Sequence, residues 1–572
     1  MRIPDRFPIV VGASAEAPVQ YAAREAKRVL DLLTRGDHAI CGACSAFCLS
    51  FAHKEGLEDG FEIRILPAGI RIAYSLPAGA VYGVYALLEK LGCRFFAQDC
   101  ERIPQTPSPL PDGAWEERPS FRVRELFYRE AMDGAFAVRL RLNSARSTIT
   151  PEMGGKARFY NFSHTFNRLV PPDVYYDAHP EYFSMVAGQR LRERSQLCLT
   201  NPEVKRICIE GVKKWKRENP SYRVFSVSMN DWYNPCECPS CCAVDREEGS
   251  ASGTMIRFVN DVAEAVEQVY PDIMIHTFAY LYCRKPPRYT RPRHNVIVRL
   301  CPIESCRSHA LDACAFETGR INVQTPTTLT FSASAGENRC ESDFLRDLRG
   351  WSAITENLYI WDYTVNYANY LQPLPNLGSL QANLRLFKSL GVKGVFEQGN
   401  FSLGRSGALG PLKIYLLAKL MWNVDADADA LTDDFCHGYF GNGGDAMLAY
   451  AKLFYSADAH ASIYDAPNAA YLTEDLLSEA ERLLETALSK TDGVEHERVE
   501  REALSIAYVR LAREDISEPG HMDRVDAFGR KAAALGITEL FERKSLESSL
   551  KVLKTSRYAL DRQAAESISY PI

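Results

Sequence analysis

Apolar and polar positions along the chain follow two periods, and the switches between them mark its parts. PIVVG (Pro8 to Gly12) is a short strand-like run. From Val19 to Thr34, VQYAAREAKRVLDLLT, the residues Ala22, Ala26, Val29, Leu30 and Leu33 recur at helical spacing and define one buried face. FEIRI (Phe61 to Ile65) and GIRIAY (Gly69 to Tyr74) alternate with a period of two, as paired strands do. A helix is predicted from about Gly79 to Leu91, with Gly92 in the usual C-terminal glycine position. The Pro-rich stretch IPQTPSPLPD (Ile103 to Asp112) reads as a linker. Residues 1–112 are therefore predicted to form a small α/β N-terminal domain.

Beyond the linker, apolar runs alternate with helical or loop segments. The runs are FRVRELFY (121–128), AVRLRLN (137–143), FSHTF (162–166), YRVFSVSMND (222–231), IMIHTFAY (273–280), VIVRLCPI (296–303), NLYIWDYT (357–364) and VKGVFEQG (392–399). Near-continuous apolarity is the pattern of parallel strands buried on both faces. Helices such as PEVKRICIEGVKKWKREN and IRFVNDVAEAVEQVY lie between them. Eight such units predict a (β/α)8 TIM-type barrel over residues 113–408. A doubly wound open sheet is the competitor, but no Gly-rich phosphate loop follows any strand. From Leu409 onward strand signals vanish. LGPLKIYLLAKLMW is apolar around most of its circumference, and Leu472–Ser489, Glu495–Glu514 and Leu540–Arg562 are amphipathic, so residues 409–572 are predicted to be an α-helical C-terminal domain.

Composition narrows the function. With 67 basic and 73 acidic residues the net charge is −6, spread along the chain, which argues against a nucleic-acid binder. No run of about 18 apolar residues exists, so no membrane span is expected. The N-terminus lacks the long apolar stretch of a secretory signal, and 17 cysteines scattered over 572 residues fit reduced thiols, so a cytoplasmic location is expected. Oligomeric state is left open.

In a TIM barrel, chemistry sits at the C-terminal strand ends. Those ends carry Arg124 or Glu125, Asn143, His164, Asn230-Asp231, Tyr280, Glu304, Trp361-Asp362-Tyr363 and Glu397-Gln398. Carboxylates for proton transfer, aromatics for stacking on pyranose faces, and Arg and Asn for hydroxyls make up the inventory of a sugar site. A Glu in an apolar setting, as Glu397 is in VFEQG, would have the raised pKa that a general acid needs; pairing with a barrel Arg such as Arg124 is its structural alternative. Trp232, Tyr280, Trp361 and Tyr363 are candidate walls of the sugar site or plain core, and His164 is a hydroxyl ligand or a satisfied core histidine. A glycan substrate is implied, with no cofactor required for catalysis.

Several motifs match known families. FEIRILPAGIRIAYSLPAGAVYGVYALLEKLGCRFF resembles the non-catalytic domain preceding the barrel in family 20 hexosaminidases and family 67 α-glucuronidases. ERPSFRVRE is similar to the Pro-x-Phe-x-x-Arg opening of family 20 barrels, which implies that Arg124 clamps sugar hydroxyls. SHTFNRLVPPDVYYDAHPEYFSMVAGQR, SMNDWYNPCECPSCCAVDREEGSASG, HTFAYLYCRKPP and WDYTVNYANYLQPLPN resemble the domain of unknown function 4838, the catalytic region of glycoside hydrolase family 163 endo-β-N-acetylglucosaminidases. The resemblance implies retaining hydrolysis of a β-N-acetylglucosaminide assisted by the substrate's acetamido group. Asn230 and Asp231 stand where family 20 carries Asp-Glu; by position Asn230 would hold the acetamido group or the oxazoline, and Asp231 would be the acid or a second polarising group, which leaves the identity of the acid open. An α-glucuronidase-like enzyme and a catalytically silent carbohydrate-binding protein are the rivals.

Cys236, Cys238 and Cys241, in C-x-C-x-x-C with Cys242 adjacent, could place three thiolates on one structural zinc, with a remote fourth ligand such as Cys283 or Cys306. Reduced packing thiols and a disulfide are the other readings. In each, the cysteines pin the loop beside the active site.

Overall fold

The computed structural model describes residues 1–317 and 342–555. The first part is a six-stranded sheet built from β1 (Ile9–Val10), β2 (Ile40–Cys41), β3 (Cys48–His53), β4 (Phe61–Leu66), β5 (Gly69–Tyr74) and β6 (Ala114–Glu117), in the order β2-β1-β3-β5-β4-β6. Because β6 pairs with β4, this sheet runs past residue 112, where the sequence pattern ends it. Helix α1 (Ala17–Thr34) buries the predicted stripe, Val19 to Leu33. Helix α2 (Pro77–Lys90) is buried from Ala78 to Leu88, and at Gly83 an added Cβ would lie 2.6 Å from the Ile72 side chain. That glycine lets the helix lie directly on the sheet.

The central part is a curled parallel sheet of seven strands. They are β7 (Val123–Phe127), β8 (Phe159–Tyr160), β9 (Val224–Ser226), β10 (Met274–Ala279), β11 (Val296–Leu300), β12 (Leu358–Tyr363) and β13 (Gly394–Gln398), in the order β8-β9-β10-β11-β12-β13-β7. Two of the eight expected strands are absent as such. Residues 137–143 fall in α3 (Gly134–Arg139) and the turn after it, because the Asp133 side chain accepts a hydrogen bond from the Phe136 N–H and starts a helix where AVRLRLN alternates like a strand. FSHTF is a bend after β8, broken by left-handed residues at Asn161 (φ 50°) and His164 (φ 57°).

The eighth position is filled by two residues. Asn143 N–H donates to the Arg124 carbonyl (3.2 Å), and its own carbonyl accepts from Ala157 N–H (2.9 Å), just before β8. The Asn143 side-chain oxygen accepts from Arg124 N–H (2.8 Å) and the Ser144 hydroxyl from Leu126 N–H (3.1 Å). Side chains thus do for the β7 edge what a neighbouring backbone does elsewhere, and the result is a TIM-like core.

Helices α4 (Pro202–Glu218), α5 (Pro239–Glu248), α6 (Ser252–Glu267), α7 (Asp343–Ser352) and α8 (Leu377–Ser389) connect the strands. Helix α9 (Gly410–Trp422) is buried along almost its whole length. Then come α10 (Ala428–Phe440), α11 (Gly444–Lys452), α12 (Glu474–Lys490), α13 (Gly493–Arg513), α14 (His521–Ala534) and α15 (Leu546–Thr555). This region is not purely helical: a hairpin of β14 (Glu539–Phe541) and β15 (Lys544–Ser545) lies between α14 and α15. The end of the helix expected to reach Arg562 lies outside the described residues. No helix among the described residues is long and apolar enough to cross a membrane.

Arg124 joins the first two parts. It is fully buried on the outer face of β7, between the rings of Tyr82 (5.6 Å) and Trp422 (5.3 Å), and donates to the carbonyls of Arg141 (2.8 Å) and Phe121 (2.8 Å). Beside it, Glu89 of α2 pairs with Arg141 and with Lys419 of α9. Burial opposes ionisation of Glu89, but the two cations outweigh it and hold the carboxyl down at about 2. A carboxyl depressed in the folded state stabilises above its unfolded value, and that stability is lost as pH falls through the folded one. Glu89→Gln should therefore flatten the pH dependence of unfolding between about pH 4.5 and 2, removing up to about 3 kcal/mol of it. Urea denaturation at a series of acid pH values measures this directly.

Candidate active site

Strand alternation decides which side chains reach the concave face. Arg299 of β11 lies at its centre, with no exposed surface, within reach of the rings of Phe162 (4.6 Å), Phe159 (5.2 Å), Tyr359 (5.6 Å) and Phe396 (5.7 Å). Its guanidinium faces Glu125 (3.5 Å) and donates to His276 Nε2 (3.2 Å). Burial, then the charge of Arg299, hold the His276 imidazole well below its ordinary value, so it is neutral. This plug fills the lower lumen and leaves the rim for chemistry.

At the rim, Asp231 follows β9 and is 49% exposed, with Tyr280 O–H 3.4 Å and His164 Nε2 3.9 Å from its Oδ1. His164 Nδ1 lies 2.8 Å from the Met229 carbonyl, which can only accept, so Nδ1 carries the proton and Nε2 faces the carboxylate. Burial pushes the Tyr280 phenol well above its ordinary value, with Asp231 adding to the shift, and it remains a donor. Asp231, His164 and Tyr280, three of the expected residues, thus form one cluster.

Others sit elsewhere. Asn230 is 3% exposed and fully engaged: its amide donates to Asn167 Oδ1 (2.9 Å) and the Ser195 carbonyl (2.8 Å), and its oxygen accepts from Asn167 N–H (3.2 Å). It has no group left for an acetamido substituent and instead ties three loops together behind Asp231. Trp232 donates to the same Ser195 carbonyl (2.8 Å). Trp361 is half-buried in the plug, stacked on Phe162 (5.4 Å), and donates to Gln398 (2.7 Å), while Tyr363 is buried under Arg307. Arg124 faces the N-terminal domain, on the outer side of the sheet, and cannot clamp a sugar.

Glu397 also faces outward, since Phe396 and Gln398 take the inward positions of β13. It pairs in register with Asp362, which bonds Arg307. Burial, then the Asp362 charge, push the Glu397 carboxyl well above the ordinary range. The raised value expected from its apolar setting is present, but on the wrong face for the lumen. Glu304 is engaged by Arg284, which also holds Glu317 and Asp347.

A second carboxyl near the rim comes from the C-terminal region. Glu542, at the tip of the β14–β15 hairpin, donates its N–H to the Tyr367 carbonyl (3.2 Å), while Tyr370 N–H donates to the Leu540 carbonyl (2.7 Å). Burial pushes the Glu542 carboxyl above the ordinary range; Arg543 opposes this, and Asp231 and Glu539 add to it. Tyr464, in the segment before α12, acts on Tyr280, Tyr363 and Tyr367. Arg146 lies over Phe127 (4.7 Å), whose ring stacks on the exposed Phe401 (4.3 Å). Burial disfavours charge on Arg146, Glu125 opposes this and Arg168, Arg299 and Arg543 add to it; Arg146, Arg168 and Arg543 form no carboxylate salt bridge among the described residues. The charged tip of ELFERK was the available signal for Glu542, but sequence distance hid its destination.

Cys198, Cys236, Cys238 and Cys241 are buried with their sulfurs within 4.8 Å of one another. The fourth member is Cys198, before α4. Cys283 instead contacts Met229 (3.4 Å), and Cys306 belongs to another cluster. The Cys198 sulfur is 3.6 Å from Cys238 and 3.9 Å from Cys241, far beyond the disulfide length of about 2.05 Å.

Curled sheet, side-chain-sealed edge and polar rim define a TIM-like α/β protein with its candidate site at the C-terminal strand ends. The family described as "Domain of unknown function (DUF4838)" matches residues 95–452, more than half of the chain, and the protein belongs to it. Among solved structures, a family GH115 4-O-methyl-α-glucuronidase, BtGH115A, with specificity for decorated arabinogalactans, superposes with a TM-score of 0.56 at 11% identity, over 94% of this chain and 76% of that one. A GH138 enzyme targeting pectin rhamnogalacturonan II gives 0.46 at 8% identity, over 98% and 99% of the two chains. Streptomyces plicatus β-hexosaminidase gives 0.45 at 12%, over 80% and 93%. No curated protein matches.

Removing the Asn230 side chain strands buried partners on two loops. Asn230→Ala should cost about 2–3 kcal/mol in chemical denaturation, against about 1 kcal/mol for Trp232→Phe, which loses one hydrogen bond. Equal effects would contradict the scaffolding role of Asn230.

Proposed function

We propose that this protein is a glycoside hydrolase with its reaction at the barrel rim between Asp231 and Glu542. The carrying observation is this pairing of unlike carboxyls: one exposed and bonded by Tyr280, the other raised by burial. Such a difference separates an acid from a base or nucleophile. Glu542 would protonate the glycosidic oxygen, and Asp231 would act on the anomeric carbon or on an attacking water. Tyr280 would orient Asp231.

The substrate we favour is an acidic sugar, a uronide. Arg146, Arg168 and Arg543 form no carboxylate salt bridge among the described residues, though the charges of Glu125 and Glu542 reach Arg146 and Arg543, and they suit a sugar carboxylate, to which arginine binds bidentately. A β-N-acetylglucosaminide, as in family 163, is the second reading. The Asp231–Tyr280 pair favours it, since a carboxylate can accept the acetamido N–H while a phenol donates to its carbonyl. Either substrate needs no cofactor.

Hydrolysis of 4-nitrophenyl uronides and of 4-nitrophenyl β-N-acetylglucosaminide distinguishes the two. Turnover of a uronide is expected, falling about 10²–10⁴-fold in Asp231→Asn and Glu542→Gln. Because Glu542 must be protonated to act, kcat/KM should fall as pH rises through its raised pKa, and Glu542→Gln should abolish that limb. Turnover of the glucosaminide alone, blocked by a thiazoline, would replace the uronide with the acetamido-assisted reaction. Binding of sugars without turnover would leave a carbohydrate-binding protein.

We also propose that Cys198, Cys236, Cys238 and Cys241 hold a structural zinc. Met185 N–H (3.5 Å) and the Arg190 guanidinium (3.6 Å) both point at the Cys236 sulfur, as donors do around zinc-bound thiolates.

A further inference from the structure

We infer that the protein has a second metal site, a Cys2His2 zinc site formed by Cys306, His309, Cys314 and His460. Three of these residues follow β11 in the order C-x2-H-x4-C, and the fourth comes from the segment between α11 and α12, more than 140 residues later. Their ligand atoms all lie within 4.8 Å of one another. The Cys306 sulfur is 3.4 Å from His309 Nδ1 and 3.5 Å from His460 Nδ1, and the Cys314 sulfur is 3.7 Å from His460 Nδ1. Zinc bonds of about 2.3 Å to sulfur and about 2.0 Å to nitrogen, at tetrahedral angles, put sulfur and nitrogen roughly 3.6 Å apart. The spacings fit one ion at the centre.

Hydrogen bonding alone does not explain the convergence. The Cys306 thiol has a single proton, yet two imidazole nitrogens and the Ser308 hydroxyl (3.2 Å) surround its sulfur. As a thiolate bound to a cation it would need no proton for the imidazoles. Both imidazoles present Nδ1 to the same point. The rings are held for this: Phe316 stacks flat on His460 (4.0 Å, 2°), and His309 meets His460 edge-on (5.3 Å). The same two segments are joined independently of any metal, with the Ser308 hydroxyl donating to the Ala459 carbonyl (2.7 Å) and Arg307 N–H to the Ala461 carbonyl (2.8 Å). Two thiolates and two imidazoles in a tetrahedron, with no position left open, select zinc in a structural role.

The site closes a long loop. It ties the strand end after β11 to the segment carrying Tyr464, and so fixes one wall of the rim. It is separate from the four-cysteine cluster and shares no residue with it.

The experiment is zinc quantification and X-ray absorption on the full-length wild-type protein purified with zinc. Two zinc ions per chain are expected, with an average shell of three sulfurs and one nitrogen, the mean of an all-cysteine site and a Cys2His2 site. His460→Ala should bring the content to one ion in an all-sulfur shell. One ion in an all-sulfur shell in the wild type, or none, would overturn the second site. One ion bound by two sulfurs and two nitrogens would establish it and remove the four-cysteine site instead. Because the wild type carries the test, a variant that fails to fold does not obscure the result.

Discussion

A curled parallel sheet has two edges, and everything at its rim depends on how they are brought together. Here the work falls on Asn143. Its backbone bonds both β7 and the approach to β8, and its side chain takes the Arg124 N–H that a regular eighth strand would have taken. Each buried N–H left without a partner costs about 1–3 kcal/mol, so an unsealed edge beside β7 would be expensive at several positions in succession. Ser144 covers the next one. With the edges held, the strand ends point to one mouth; without them, Asp231 and the loops from β7 would have no fixed relation.

Closure also explains what fills the lumen. A TIM-like interior is a packed core rather than a pore. A buried guanidinium is tolerable there because Glu125 is its counter-ion, His276 accepts from it, and four aromatic rings lie against it. That arrangement is too committed to take part in proton transfer at the rim. It is a floor, and above it the carboxylate that follows β9, Asp231, has open access.

Legibility in the sequence followed the physics of each signal. Strands β7 and β10–β13 were readable because a run buried on both faces is apolar whatever its neighbours are. The segment 137–143 was misread because an Asp cap a few residues upstream outweighs strand-like alternation, and the edge is closed by side-chain oxygens that periodicity does not register. Asp231 was selected by its position after a strand, and the structure puts it at the rim beside Tyr280. Glu397 was also found by position, yet a shift of one residue turns a strand side chain to the opposite face, so a boundary placed one residue wrong exchanges a lumen carboxyl for a buried structural one. The metal clusters illustrate the same limit. C-x-C-x-x-C is a local pattern and visible, whereas Cys198 and His460 are joined to their clusters only by the fold.

Glu542 lay beyond sequence reading for a related reason, and its placement bears on how such a site is built. A carboxyl on the barrel itself tends to be drawn into the alternation of the strands, either packed in the sheet–helix layer like Glu397 or neutralised by an arginine like Glu304. A hairpin delivered from another region is free of that pattern. It can present its tip to the mouth while its backbone is anchored on Tyr367 and Tyr370. The C-terminal region is itself fixed to the core: Glu502 of α13 accepts from Leu409 N–H (2.9 Å) at the start of α9, and Arg405 N–H donates to the Gly536 carbonyl (2.8 Å). Burial is the largest cause of the raised Glu542 pKa, so the docking that positions this carboxyl would also suit it to the proposed role of acid. On the proposed mechanism, a C-terminal region docked in this way would be part of the site rather than an appendage to it.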